Sequence, residues 1–176
     1  IVIRGSGSSL ATIQAATTSN TADRRVFKIP NTNTVTITQL IIQNGKINST
    51  SSDGGGIEIL GKANISNSII RDNVCAQGSG GGVHVAGALM ISNSLITNNT
   101  AHYMGGGLNR SYYSGSRGTP GSEDLLDIVN CTISHNKVTQ TVAYLEGGGV
   151  FYRRGSGSIT NCTIVYNSVV NIFKFV

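Results

Sequence analysis

Three glycines in a row occur four times in this chain, beginning at Gly54, Gly80, Gly105 and Gly147, so successive triplets start 26, 25 and 42 residues apart. The text behind them is nearly the same each time. "GGGIEILGKANISNSIIRDN" runs from Gly54 to Asn73, and "GGGVHVAGALMISNSLITNN" from Gly80 to Asn99. A period of this size marks a solenoid, in which a unit buries its apolar residues by stacking on its neighbours.

Five segments align behind the triplet pattern: "VTITQLIIQNG", "ANISNSIIRDN", "LMISNSLITNN", "LDIVNCTISHN" and "GSITNCTIVYN". One column holds Ile37, Ile65, Ile91, Ile128 and Ile159. Another, five residues on, holds Ile42, Ile70, Ile96, Ile133 and Ile164. Unbroken Ile columns imply that each side chain stacks on its copy inside the rod. Between them lies a polar column of Gln39, Asn67, Asn93, Asn130 and Asn161, which reads as an internal ladder of side-chain amides. The closing column of Gly45, Asn73, Asn99, Asn136 and Asn167 admits only Asn or Gly. These residues most readily take a left-handed backbone, so this column reads as a bend.

Composition fits strands. Gly is abundant at 23 residues, Pro scarce at 2, Trp absent, and charged residues make up only 12%. β-branched residues favour strands, while Gly, Asn and Ser favour turns. A unit of roughly 25 residues is too long for a hairpin array and too short for a four-stranded propeller blade of ~40–45. A leucine-rich repeat would show Leu columns and a helical half. The expectation is an all-β chain: a right-handed parallel β-helix of about five to six coils, three short strands per coil. It reads as one domain over 1–176, with an irregular opening coil at 1–33, repeats over 34–176 and an inserted loop at 111–127. The chain lacks an initiating Met and a signal peptide. It starts in "IVI" and ends in "NIFKFV", and so reads as a processed form or part of a longer polypeptide.

The unit "GGGVHVAGALMISNSLITNN" resembles the GG[A/I]-x-x-x-G-x-L-x-I-x-N-S-x-[I/F]-x-x-N repeats of bacterial surface and secreted β-helix proteins. These include the polymorphic outer membrane proteins and the wider pectate-lyase-like superfamily. The opening "IVIRGSGSSLATIQA" through "TVTITQLIIQNG" is similar to the coil that precedes such repeats. The resemblance implies the fold and an extracellular or cell-surface location in a bacterium. It leaves activity open, because this scaffold hosts enzymes, adhesins and structural rods.

The search for chemistry yields few candidates. The acids are Asp23, Asp53, Glu58, Asp72, Glu123, Asp124, Asp127 and Glu146. No column stacks two of them in neighbouring coils, so the pair a glycosidase needs is not evident. No catalytic residue, metal site or cofactor is expected. Glu58 and His84, each in a strand behind a triplet, are expected to face solvent. The insertion gathers Tyr112, Tyr113, Arg117, Glu123 and Asp124 in one loop, a candidate interface or binding element. Cys131 and Cys162 share a column and are a candidate disulfide or, alternatively, two small buried thiols; Cys75 is left over. Asn48 and Asn109, in N-x-S/T triplets read as loops, are candidate glycosylation positions, whereas Asn130 and Asn161 are set aside as internal.

The formal charge of +5 is scattered, which argues against a nucleic-acid partner, and no segment is long and apolar enough to insert in a membrane. The expected function is a non-enzymatic extracellular structural or adhesive surface protein. It would associate end to end, through the edges of its terminal coils, into a homo-oligomer or homopolymer, with glycan or cell-surface contact as a further partner. The alternative is a polysaccharide-binding or polysaccharide-cleaving module, of lyase or hydrolase type.

Overall fold

The computed structural model describes residues 1–111, 125–139, 147–153 and 155–170, and all the regular structure among them is strand. Two strands open the stack, β1 (Val2–Arg4) and β2 (Ala11–Gln14). Coil one holds β3 (Phe27–Ile29), β4 (Thr34–Thr38), β5 (Leu40–Gln43) and β6 (Lys46–Ile47). Coil two holds β7 (Ile57–Ile59), β8 (Lys62–Ser66), β9 (Ile69–Arg71) and β10 (Val74–Cys75). Coil three holds β11 (Val83–Val85), β12 (Ala88–Ser92), β13 (Leu95–Thr97) and β14 (Thr100–Ala101). Coil four holds β15 (Leu108–Arg110), β16 (Leu125–Val129), β17 (Thr132–Ser134) and β18 (Lys137–Val138). Coil five holds β19 (Val150–Tyr152), β20 (Ser156–Thr160), β21 (Thr163–Val165) and β22 (Ser168–Val169).

Strands in corresponding places pair in parallel and form four sheets along the rod. The first sheet runs β3-β7-β11-β15-β19, the second β1-β4-β8-β12-β16-β20, the third β2-β5-β9-β13-β17-β21 and the fourth β6-β10-β14-β18-β22. This is the expected parallel β-solenoid of about five turns, with one correction: each coil has four strands rather than three. The added strands of the fourth sheet are two residues long, too short to show the alternation by which a strand is read from sequence.

Both Ile columns form as expected. Ile3, Ile37, Ile65, Ile91, Ile128 and Ile159 are register partners in the second sheet. Ile13, Ile42, Ile70, Ile96, Ile133 and Ile164 are partners in the third. Alternate residues of a strand point inward, so Ile37, Ile65, Ile91 and Ile128, Ile42, Ile70, Ile96 and Ile133, and Ile57, Val83 and Leu108 of the first sheet meet in one core. Each fully buried Ile contributes about 1.5–3 kcal/mol by leaving water.

The two polar columns exchange the roles read from sequence. Gln39, Asn67, Asn93, Asn130 and Asn161 are the left-handed residues, with φ of 58°, 48°, 48°, 53° and 51°. Asn67, Asn93, Asn130 and Asn161 are exposed, so this column is an outer corner and not an internal ladder. The closing Asn residues are the ladder. Asn73, Asn99 and Asn136 are fully buried. Asn73 donates its backbone N–H (3.1 Å) and its Nδ2 (3.0 Å) to Asn99 Oδ1. Asn99 makes the same pair to Asn136 Oδ1 at 3.0 and 3.0 Å, and Asn136 to Asn167 Oδ1 at 2.9 and 2.9 Å. A second bend falls one residue before the ladder, at Asn44, Asp72, Asn98, His135 and Tyr166.

The glycine triplets serve the same ladder. Gly80 opens its triplet at φ 71°. A Cβ on Gly82 would lie 2.6 Å from the Gly107 carbonyl oxygen and 2.9 Å from Asn99 Nδ2, so the third glycine leaves room for the ladder amide. Triplet and closing Asn are therefore one device. The expected inserted loop at 111–127 is also trimmed, since β16 begins at Leu125.

Candidate functional site

Coil five presents a bare apolar surface, as do Ile1 and Val2 at the opening end. Ile159 and Ile164 are 50% and 44% exposed, whereas Ile128 and Ile133 directly beneath them are at 0%. Val165, Val169 and Val170 extend the surface. Every residue of β20 and β21 is exposed, although the inward-facing positions of the same columns in coils two to four are core. The Asn ladder is open here as well. Asn167 Oδ1 accepts from Asn136, and its Nδ2 donates to the Ile133 carbonyl (2.8 Å), but its own backbone N–H meets no acceptor among the described residues.

A second group lies on the outer side of the first sheet. Lys28, Glu58, His84 and Asn109 are successive register partners. Both Glu58 and His84 are buried, which corrects the expectation that they face solvent. Alternation does turn them out of the core, but Arg25, Asp53 and Arg110 gather over them. Glu58 Oε2 pairs with Arg25 and lies 3.1 Å from Lys28 Nζ. Asp53 Oδ1 accepts the Ser79 N–H at 2.7 Å, and its Oδ2 is 3.8 Å from His84 Nδ1. Asn109 Nδ2 reaches His84 Nδ1 and Ser111 Oγ, each at 2.9 Å.

Burial pushes the His84 imidazole below its ordinary value. The Asp53 carboxylate pulls the other way, and the Arg25 and Arg110 guanidiniums add to the lowering. His84 is thus neutral at pH 7, with Nδ1 as an acceptor. Desolvation likewise raises the nearby Cys75 thiol to about 12, which leaves it protonated and unreactive. Glu58 is engaged by two cations and Asp53 by the Ser79 N–H. In this arrangement the group ties coils one to four together on the outside. Sequence reading missed this group, although register carried the signal: Glu58 and His84 sit one coil apart in the same column.

The remaining candidates divide. Tyr112, Tyr113, Arg117, Glu123 and Asp124 lie outside the described residues. Cys131 and Cys162 do share a column, and both are free thiols. They repeat what serine does in that column. Ser94 Oγ donates to the carbonyl two residues back at 2.7 Å, and Cys131 Sγ and Cys162 Sγ do so at 3.2 and 3.2 Å. Cys162 Sγ also accepts the Cys131 N–H at 3.4 Å, as Ser94 Oγ accepts that of Ser68. Asn48 is exposed beyond β6. Asn109 is not in a loop: it sits in β15, fully buried against His84, where no glycan fits. Asn130 and Asn161, set aside as internal, are exposed. Among the described residues no three His, Cys, Asp or Glu side chains converge to hold a metal ion.

Stacked coils of parallel strands around continuous Ile columns define the class of parallel β-helices. The chain matches the family model described as "Right handed beta helix region" over residues 1–174, and it belongs to that family. No curated protein matches it, and no solved structure does.

Proposed function

We propose that this β-helix is a non-enzymatic structural or adhesive module of the bacterial cell exterior, which lengthens by taking a second copy onto coil five. The observation that carries this reading is the bare end of the Ile columns, at Ile159 and Ile164. Apolar side chains in register and a strand edge with no partner among the described residues favour a further β-strand over other occupants. The resemblance to surface-protein repeats supports the extracellular location. A head-to-tail contact of this kind does not close on itself, so it yields rods of increasing length. Sedimentation velocity over a wide concentration range tests it. The expected result is a sedimentation coefficient that rises with concentration for the wild type and stays at the monomer value for Ile164→Asp. A wild-type monomer at every concentration overturns the reading.

One observation favours glycan binding as a second reading. A shallow groove follows the outer corner between the second and third sheets, lined by Asn67, Asn93 and Asn130 beside Ile69, Leu95 and Thr132. Amides next to apolar surface suit an uncharged sugar chain. Pull-down on insoluble neutral glycans, with Asn93→Ala as control, separates this reading from the first.

A further inference from the structure

The column just after the outer Asn corner changes its residue along the rod. It holds Leu40, Ser68 and Ser94 in coils one to three, and Cys131 and Cys162 in coils four and five. The strands on either side of the two cysteines are in register, with Val129 opposite Thr160 and Thr132 opposite Thr163. Adjacent parallel strands lie about 4.8 Å apart, so the Cα atoms of Cys131 and Cys162 stand at a separation that a disulfide spans.

Both side chains reach toward the preceding coil. Cys162 Sγ lies 3.5 Å from the Ile128 carbonyl oxygen, and Cys131 Sγ lies 3.7 Å from that of Ile91. Cys162 Sγ therefore sits between coils four and five, where it accepts the Cys131 N–H at 3.4 Å. One torsion separates the two sulfurs. Cys131 Sγ is turned toward coil three, and rotation about its Cα–Cβ bond carries it toward the Cys162 sulfur. That rotation gives up only weak thiol contacts, to the Val129 and Ile91 carbonyls, and strands no strong donor. Serine fills the column equally well in coils two and three. Cysteine in two successive coils adds a bond that serine has no means to make.

We infer that Cys131 and Cys162 form a redox clip: a disulfide ties coil four to coil five in the presence of a small-molecule disulfide and opens in the presence of a small thiol. Cys162 is half-buried and Cys131 buried, so Cys162 is the sulfur that meets the oxidant. Its thiolate attacks one sulfur of the small disulfide, forms a mixed disulfide and releases one small thiol. The Cys131 sulfur then displaces the second small thiolate, which carries away the Cys131 proton. The protein loses two electrons and two protons, and the small disulfide becomes two thiols. The second step needs only the Cys131 torsion, so Cys131 never has to meet the oxidant. The third thiol, Cys75, lies in β10 of the fourth sheet, away from this column. The inference does not depend on axial association.

The experiment equilibrates the folded protein, at one dilute concentration, with oxidised and reduced glutathione at rising ratio. Free thiols are trapped by alkylation, and intact mass, disulfide-mapped peptides and hydrogen–deuterium exchange are read. The expected result is a wild type lighter by two hydrogens, with Cys131 joined to Cys162 and Cys75 alkylated after unfolding. Exchange at Thr163–Val165 should slow by about tenfold or more on oxidation. Cys131→Ser, which restores the residue of coils two and three, should stop at a glutathione adduct on Cys162. Three free thiols at every ratio overturn the inference, as does a persistent glutathione adduct on the wild type or a bond that includes Cys75. A Cys131–Cys162 bond that leaves exchange at Thr163–Val165 unchanged shows that it does not tie the coils together, and overturns the clip.

Discussion

Coil three and coil five are written in almost the same words, "LMISNSLITNN" and "GSITNCTIVYN", and they meet opposite fates. Ile91 and Ile96 are completely buried, whereas Ile159 and Ile164 are half bare. Asn99 is bonded on both sides, whereas among the described residues Asn167 is bonded only to the coil beneath. The difference does not lie within the coils. It lies in the cover: coils two to four are each flanked by described coils on both sides, and no described coil covers coil five. A solenoid's stability is a sum over neighbouring pairs, so a unit with one described neighbour draws on fewer of them.

The largest test of that comparison pairs Ile96→Ala with Ile164→Ala. The first opens a cavity between two coils and should cost about 2–5 kcal/mol in urea unfolding. The second removes a half-exposed side chain and should cost less than about 1.5 kcal/mol at dilutions where the protein is monomeric. Equal costs would break the comparison.

A smaller contrast comes from the ladder. Asn99→Ala leaves the Asn73 backbone N–H and one of its two Nδ2 hydrogens buried without an acceptor and should cost about 2–3 kcal/mol. Asn167→Ala should cost roughly 1 kcal/mol, because part of its surroundings is water.

A further contrast is a pH dependence centred on the middle coils. Burial holds the His84 imidazole below its ordinary value, so its contribution is complete above about pH 6.5 and is lost as pH falls below that. The slope should be up to about 1.4 kcal/mol per pH unit, with melting temperature falling between pH 7 and pH 5. His84→Gln should flatten it. Coil five has Phe151 in the place equivalent to Asn109, so acid should loosen coils two and three before it.

The Ile columns were legible because they repeat in strict register and nothing but stacking explains them. The roles of the two Asn columns were not, and the reason is physical. A left-handed corner and an amide ladder both select Asn, so the residue type alone does not say which is which. Tyr166 and His135 at the true second bend, and Gly82 beside Asn99, break the tie only once the backbone is known. The burial of Glu58 and His84 was hidden for a different reason. Alternation assigns a side chain to the outside of a sheet, but the cover comes from Arg25, Asp53 and Arg110, which lie in other columns. Register shows that Glu58 and His84 are neighbours, and alternation alone does not show what lies over them.

The most direct measurement of the central claim is hydrogen–deuterium exchange resolved by peptide, at low and at high protein concentration. The account predicts strong protection of coils two to four at both concentrations, and protection of Ser156–Val169 that rises with concentration together with that of Val2–Gln14. Protection at the two ends that stays the same at every concentration would contradict it.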